Sequence, residues 1–314
     1  MSSDVPAAEL REVSKEFGKL EAVENLSMTV TRGNIFGLIG PSGCGKTTTV
    51  RMMMGVLVPT KGTVRVLGAD PAHLKARQRE RLGYAPQGSL VYPTLTAWEN
   101  VSFVAGLFGV GFLRRRSRMK HVLQFLELWD ARNRLARDLS GGMKRRLGLA
   151  CALVHGPEFL IVDEPTAGLD PVLREKVWGY LRRLKEEGTT VLVTTQLIEE
   201  IQQCDMVALL VRGRLVAMDS PQALRRQALG GEAVDVWADT LSREHLVSLR
   251  ALAAVNGLRW NDDGSLRVLV DDAGTATPEI TQSLQGQGVS IQAMRPYEPS
   301  FDEVFQRLVA GHRA

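Results

Sequence analysis

The octapeptide Gly40-Pro41-Ser42-Gly43-Cys44-Gly45-Lys46-Thr47 fits the pattern GxxxxGK[ST], and it lies between the apolar run Ile35–Ile39 and a helical run over residues 48–54. Apolar strand, glycine loop and helix in that order form a cradle for phosphate. The glycines let backbone N–H groups close around phosphate oxygens, and the helix start adds partial positive charge. Lys46 is placed to reach β- and γ-phosphates, and the Thr47 hydroxyl to ligate Mg²⁺. A chain carrying this unit is committed to a buried strand feeding a helix, the repeating step of an α/β sheet.

The remaining order of elements agrees. Short apolar strands over residues 26–30, 35–39 and 63–66 come first, followed by a helix-rich middle over residues 96–155. Strands then alternate with helices: strand 159–162, helix 171–187, strand 190–194, a helix from Leu197, and strand 206–211. Near-continuous apolar strands separated by helices indicate a parallel sheet covered on both faces, so the middle reads as a helical insertion at about 88–155. At 314 residues the chain exceeds what one hydrophobic core usually serves. Composition shifts at Gly230-Gly231, which divides the chain into 1–229 and 230–314. The second part reads strand, helix, strand, strand, helix, strand, with Asn261-Asp262-Asp263-Gly264 as a hairpin turn, the order of a split βαβ (ferredoxin-like) domain.

Several classes are excluded. Thirty-nine Lys and Arg against thirty-five Asp and Glu leave +4, too small an excess over this length to argue for nucleic acid. The longest charge-free apolar stretch, residues 101–113, is broken by Gly106, Gly109 and Gly111 and is shorter than the ~20 residues of a spanning helix. Residues 1–10 are acidic and have no basic start or apolar core of a secretory signal. Cys44, Cys151 and Cys204 are odd in number and lack partners at metal spacing, which reads as a reducing, cytosolic chain without disulfides.

Two further segments carry chemistry. Asp163-Glu164 ends the apolar run 159–162, delivering two adjacent carboxylates at a strand end. Alone the pair is equally a solvated terminus; downstream of a phosphate loop, one carboxylate serves the Mg²⁺ shell and the next polarises an attacking water. Leu139-Ser140-Gly141-Gly142-Met143 opens a helical stretch, with Ser140 as N-cap. It reads either as a simple cap or as a second anion-facing helix start.

In order and spacing, the loop Gly40 to Thr47, Leu139-Ser140-Gly141-Gly142, the strand into Asp163-Glu164-Pro165, and Ala167-Gly168-Leu169-Asp170 resemble the nucleotide-binding subunit of ABC transporters over about two thirds of the chain. The resemblance implies a P-loop ABC-type α/β core with a parallel sheet, an antiparallel β subdomain and a helical insertion. It implies ATP and Mg²⁺ as ligands, and a head-to-tail pair in which the LSGG helix of one copy closes over ATP held by the other. Carried over residue by residue, it makes Gly40, Pro41, Ser42, Gly43, Cys44, Gly45, Lys46, Thr47 and Thr48 the phosphate contacts. Phe17 is then the aromatic that stacks on adenine, although an aromatic beside a turn also serves as core. Gln87 contacts Mg²⁺ and water, Asp163 positions Mg²⁺ together with Thr47, and Glu164 is the general base. Leu139, Ser140, Gly141, Gly142 and Met143 form the signature acting in trans, with Asp170 in the loop between copies and also a helix N-cap.

Where the family usually has a histidine after the last core strand, this chain has Thr194-Thr195-Gln196. A glutamine amide donates a hydrogen bond but carries no charge. The same triplet occurs in ATPases of the daunorubicin-resistance type, so Gln196 is expected to keep the sensor geometry. Leu95-Thr96-Ala97-Trp98-Glu99-Asn100, Met143, and Pro299-Ser300-Phe301-Asp302-Glu303-Val304-Phe305 resemble exporter ATPases whose permease is a separate polypeptide. The expected partners are that permease and a second ATP-binding subunit, at the cytoplasmic face of the plasma membrane. A soluble ABC ATPase, and an ATP-gated regulatory subunit with weak hydrolysis, are the alternatives. Arg114, Arg115, Arg116, Arg118 and Lys120 form a basic run, read as a solvated face, an attraction to an anionic leaflet, or a permease contact. Cys44, near a helix N-terminus and Lys46, is expected to have a lowered thiol pKa and to react with maleimide.

Overall fold

The computed structural model describes residues 5–88 and 91–312, so the first four residues of the acidic amino-terminal decapeptide lie outside it. The chain divides into two units, Met1–Asp219 and Ser220–Ala314. The first begins with a hairpin, β1 (Ala8–Phe17) and β2 (Leu20–Val30), in which burial alternates along much of β2. β3 (Ile35–Ile39) is buried at every position and feeds α1 (Lys46–Met53) through the glycine loop. β4 (Lys61–Val66) pairs antiparallel with β1, completing a sheet of order β2-β1-β4. A single turn, α2 (Ala76–Arg79), precedes the short strand β5 (Leu82–Ala85).

The insertion follows, with α3 (Ala97–Leu107), α4 (Phe112–Phe125) and α5 (Gly141–Leu153). α3 starts on a capping box in which Glu99 N donates to Thr96 Oγ1 at 3.1 Å and Thr96 N to Glu99 Oε2 at 2.8 Å. His155 ties this insertion to the strands. Its ring stacks on Phe108 with centroids 3.9 Å apart, and its Nε2–H donates to Leu82 O at 3.1 Å, at the start of β5. Because a carbonyl only accepts, the proton is on Nε2 and the buried Nδ1 is bare. Burial pushes the imidazole pKa down to about 4.

β6 (Phe159–Asp163), α6 (Pro171–Glu186), β7 (Thr190–Thr195), β8 (Met206–Val211) and β9 (Arg214–Asp219) complete the unit. The second sheet has order β5-β6-β7-β3-β8-β9, parallel except for the antiparallel edge β9. β3, β6 and β7 are buried along their whole length, as strands covered on both faces must be. Register places Ile39 beside Thr195 and Asp163 beside Thr194, so the loops after these three strands emerge side by side. The helix expected from Leu197 is a 3₁₀ segment, Ile198–Gln203. The chain is anchored immediately afterwards, where Asp205 N donates to Ile35 O at 2.9 Å and Asp205 Oδ2 accepts from Ile35 N at 2.8 Å, leaving room only for a tight, short helix.

In the second unit, α7 (Pro221–Leu229) leads into β10 (Glu232–Ala238), α8 (Arg243–Arg250), β11 (Val255–Trp260), β12 (Leu266–Val270), α9 (Ala273–Gly286), β13 (Ile291–Pro296) and α10 (Phe301–Gly311). Its antiparallel sheet has order β11-β12-β10-β13, the ferredoxin-like arrangement of a βαββαβ chain. The division falls one helix earlier than the composition shift. Gly230 and Gly231 end α7 rather than separate units, and α7 packs with the second unit: the Arg225 guanidinium lies over Phe301, 4.4 Å from the ring centroid.

Candidate nucleotide site

The site is built where β3, β6 and β7 end. The turn after β3 is tight enough to demand glycine. A Cβ on Gly40 would lie 2.1 Å from Leu210 O, and one on Gly45, at φ +108, would lie 2.6 Å from Ala22 O. Gly45 opens α1, whose first residue, Lys46, is buried. The Lys46 ammonium donates to Gly40 O at 2.7 Å and Pro41 O at 3.0 Å, both in its own loop, and lies 3.9 Å from Glu164 Oε1. Pro41, Ser42, Gly43 and Thr47 are exposed along the rim of this loop and Thr48 is half-buried.

β6 delivers the carboxylates. Asp163 is 4% exposed and accepts a hydrogen bond from the fully buried Thr194 hydroxyl of β7. The same oxygen, Thr194 Oγ1, accepts from Glu164 N at 3.0 Å, and Thr194 O accepts from that N–H at 3.0 Å as well. One threonine thus sets both acidic residues. These bonds hold Glu164 at φ +48, a left-handed conformation costing a non-glycine residue about 1 kcal/mol. The carboxylate then meets Lys46 on one oxygen and accepts from Gln87 Nε2 at 2.6 Å on the other. Gln87, two residues beyond β5, is itself exposed.

Arg145, on the second turn of α5, joins two of these loops. Its guanidinium donates to Ala167 O at 2.7 Å and to Gln87 O at 3.3 Å, and desolvation lowers its pKa from the usual arginine range against the attraction of Glu164. Sequence reasoning missed both Thr194 and Arg145. A signal existed for the first: a threonine pair closing a strand that is otherwise buried and largely apolar must find hydrogen-bond partners. None existed for the second, because an arginine in a basic helix looks like any solvated side chain.

The other expected residues lie outside this hydrogen-bonded cluster, Gln196 at its edge. Ser140 caps α5, its Oγ accepting from Met143 N at 3.3 Å, while Leu139 is buried beneath it. By helix geometry the N–H groups of Gly141 and Gly142 have no acceptor inside the helix. Asp170 caps α6, accepting from Val172 N and Leu173 N at 3.0 Å each. Phe17 is exposed at the end of β1, with Lys15 Nζ 5.3 Å from its ring centroid. Gln196 is exposed directly after Thr195, whose carbonyl accepts from Gly40 N at 3.2 Å. One expectation is reversed. Cys44 is buried, and burial outweighs the neighbouring Lys46, so its thiol pKa is raised rather than lowered.

Residues 23–167 match the ABC transporter family. The daunorubicin resistance ATP-binding protein DrrA2 of Streptomyces coeruleorubidus is 36% identical over 305 residues, which cover 96% of this chain and 94% of that protein. The chain belongs to the ABC transporter ATP-binding proteins. The probable multidrug ABC transporter ATP-binding protein YbhF of Escherichia coli (strain K12) is 38% identical over 227 residues, 72% of this chain but 39% of that protein. This chain therefore matches about two fifths of that relative's length. The dimeric ATP-binding cassette MJ0796, solved in a post-hydrolysis state with ADP and Pi, superimposes with a TM-score of 0.62 at 28% identity, covering 68% of this chain and 98% of that one.

ABC ATP-binding domains are ATPases as a class, and the donor set here suits a nucleotide-bound Mg²⁺. Among the described residues no group of three or more His, Cys, Asp or Glu forms a metal cage. Mg²⁺ needs none, since it takes one or two protein oxygens and completes its octahedron with phosphate and water. The buried Asp163 carboxylate, fixed by Thr194, and the exposed Thr47 hydroxyl are oxygens of that kind.

Proposed function

We propose that this chain is the ATP-hydrolysing subunit of an ABC exporter, acting as a dimer on a separate membrane permease. The observation carrying the reading is the cluster Thr194–Asp163–Glu164–Gln87–Lys46, in which a base, a cation and a metal-suited carboxylate are held by one hydroxyl and one backbone turn. In this reading Gly40 to Thr48 grip the phosphates, with Lys46 exchanging its loop carbonyls for phosphate oxygens. Thr47 and Asp163, with Gln87 beside them, are the residues that would hold the Mg²⁺ bound with ATP, which would supply positive charge to the phosphates. Glu164 accepts the proton of the attacking water, and the Gln87 amide fixes the orientation of its carboxylate. Phe17 stacks on the base, and Gln196 donates to the γ-phosphate.

The open N–H groups at Gly141 and Gly142, together with Ser140, lie at another helix start and serve the nucleotide of a second copy, with Leu139 and Met143 framing that start and Asp170 lying in the loop between copies. Closure on ATP and reopening after hydrolysis then drive the permease. Export is favoured by the names of relatives associated with multidrug transport and daunorubicin resistance. No helix among the described residues is long and apolar enough to cross a membrane, which suits a peripheral subunit at the cytoplasmic face.

The test is Glu164→Gln, measured by single-turnover hydrolysis and by mass in solution with MgATP. Wild type should hydrolyse, and the variant should bind ATP, accumulate as a dimer and turn over about a thousandfold more slowly. Equal rates in the two proteins, or a variant that stays monomeric with MgATP and permease present, would overturn the reading. If wild type binds MgATP and dimerises but scarcely turns over, the chain is a nucleotide-gated regulator.

A further inference from the structure

One surface feature plays no part in the nucleotide site. At the start of α4, Phe112 and Leu113 are 90% and 92% exposed, and Leu107, at the end of α3, is also exposed. The corner beneath them is held firmly. Phe108 stacks on His155, Arg115 Nη2 donates to Ser102 O and, at 2.9 Å, to Ser102 Oγ, and Arg118 Nη1 donates to His155 O at 2.7 Å. Two large apolar side chains are therefore displayed by an ordered helix start, not by a frayed end.

The charges along this segment of the chain are of one sign. Arg115 and Arg118 are engaged by the fold, Lys120 Nζ lies 5.5 Å from the Trp129 ring centroid, and Arg114 and Arg116 are exposed beside the apolar pair. Residues 100–126 contain no Asp or Glu. One carboxylate from outside the segment, Glu80, stands by the turn, its Oε1 4.0 Å from where a Gly109 Cβ would be. Apolar tips flanked by cations, without acidic neighbours along the segment, match the composition of interfacial membrane anchors. Side chains at or above nine-tenths exposure touch almost nothing of their own chain and project into solvent. A fluid headgroup layer accepts such a tip without any preformed pocket, and its negative charge is spread like the positive charge here.

We propose that this corner inserts into an anionic bilayer surface, with Phe112 and Leu113 reaching the acyl boundary and Arg114 and Arg116 among the lipid phosphates. The contact is weak and reversible, comparable to a single acyl chain, and independent of ATP hydrolysis. Each of the two arginines should strengthen binding roughly fivefold, so removing both should weaken it about thirtyfold.

The full chain is sedimented with vesicles of phosphatidylcholine alone or with two fifths phosphatidylglycerol, in low salt. Wild type should pellet with the anionic vesicles only. Phe112→Ser/Leu113→Ser and Arg114→Ser/Arg116→Ser should lose most of that binding while keeping wild-type ATPase rate and melting temperature. Arg243→Ser/Arg259→Ser, which removes the same charge from exposed sites in the second unit, should keep it. Because Cys44, Cys151 and Cys204 are all buried, Leu113→Cys can be labelled selectively with a polarity-sensitive dye, whose emission should brighten and shift to the blue on anionic vesicles. No binding by wild type, equal loss in the control pair, or a dye unmoved on bound protein would each overturn the proposal. So would variants that bind vesicles normally but lose only their response to the permease, which would make the corner a protein contact.

Discussion

Thr194→Val replaces a hydroxyl by a methyl of nearly the same shape, and the structure says what is lost. The Thr194 hydroxyl donates to the buried Asp163 carboxylate and accepts from Glu164 N. Glu164 N keeps Thr194 O at 3.0 Å, so Asp163 is the group left short. A hydrogen bond to a charged, buried acceptor contributes about 1.5–3 kcal/mol, so a loss of about 2 kcal/mol is expected. For a unit of this size that corresponds to a melting temperature lower by about 4–8 °C. Thr194→Ser keeps the hydroxyl and loses one buried methyl, about 1 kcal/mol, so it should melt between the two. Activity should separate the variants more sharply. Misplacing Asp163 by even about 1.4 kcal/mol of lost positioning costs a factor of ten in turnover, whereas the serine variant should stay near wild type. The assay is calorimetry together with steady-state ATPase rates, the relevant transition being the one that MgATP shifts upward. If the valine variant melted and turned over like wild type, or if serine lost as much activity as valine, the hydroxyl would not be what holds the carboxylates.

Arg145→Ala should lower kcat about tenfold with the KM for ATP within about twofold, because it releases the Gln87 and Ala167 carbonyls but touches no phosphate loop residue; Arg145→Lys should recover part of the loss. At pH 7 Cys44 should react with maleimide at least ~10-fold more slowly than a cysteine introduced at position 113, since its thiol is buried and its pKa raised; equal rates would show that the loop opens freely. His155 gives a pH signature. Its folded pKa, about 4, lies below the ordinary 6.5, so the unfolded chain takes up the proton first, and stability is lost as pH falls from about 6.5 towards 4. The loss approaches about 3 kcal/mol at the bottom of that window. Melting curves from pH 7.5 to 5 should steepen for wild type and flatten for His155→Asn; parallel curves would refute the assignment.

Much of this protein could be read before any fold was known. The glycine loop, the paired carboxylates and the capped helix starts at Ser140 and Asp170 are local patterns, each fixed by backbone geometry within a few residues. The ferredoxin-like order of the second unit follows from alternation of strands and helices, whereas the composition shift at Gly230-Gly231 marks only the end of α7. β5 and β9 were less legible, since short edge strands leave too brief a pattern, whereas β1, ten residues long and central in its sheet, has its alternation broken by bulges.

What sequence alone determined is the kind of chemistry, because phosphate binding needs those residues at that spacing whatever surrounds them. Only the tertiary structure decided how the parts are held. Thr194 meets Asp163, and Arg145 meets Gln87 and Ala167, across strands and helices distant in the chain. Burial reversed the expected behaviour of Cys44 and left Phe112 and Leu113 in solvent. Solvent access and nonlocal contact are properties of packing, and no window of neighbouring residues encodes them.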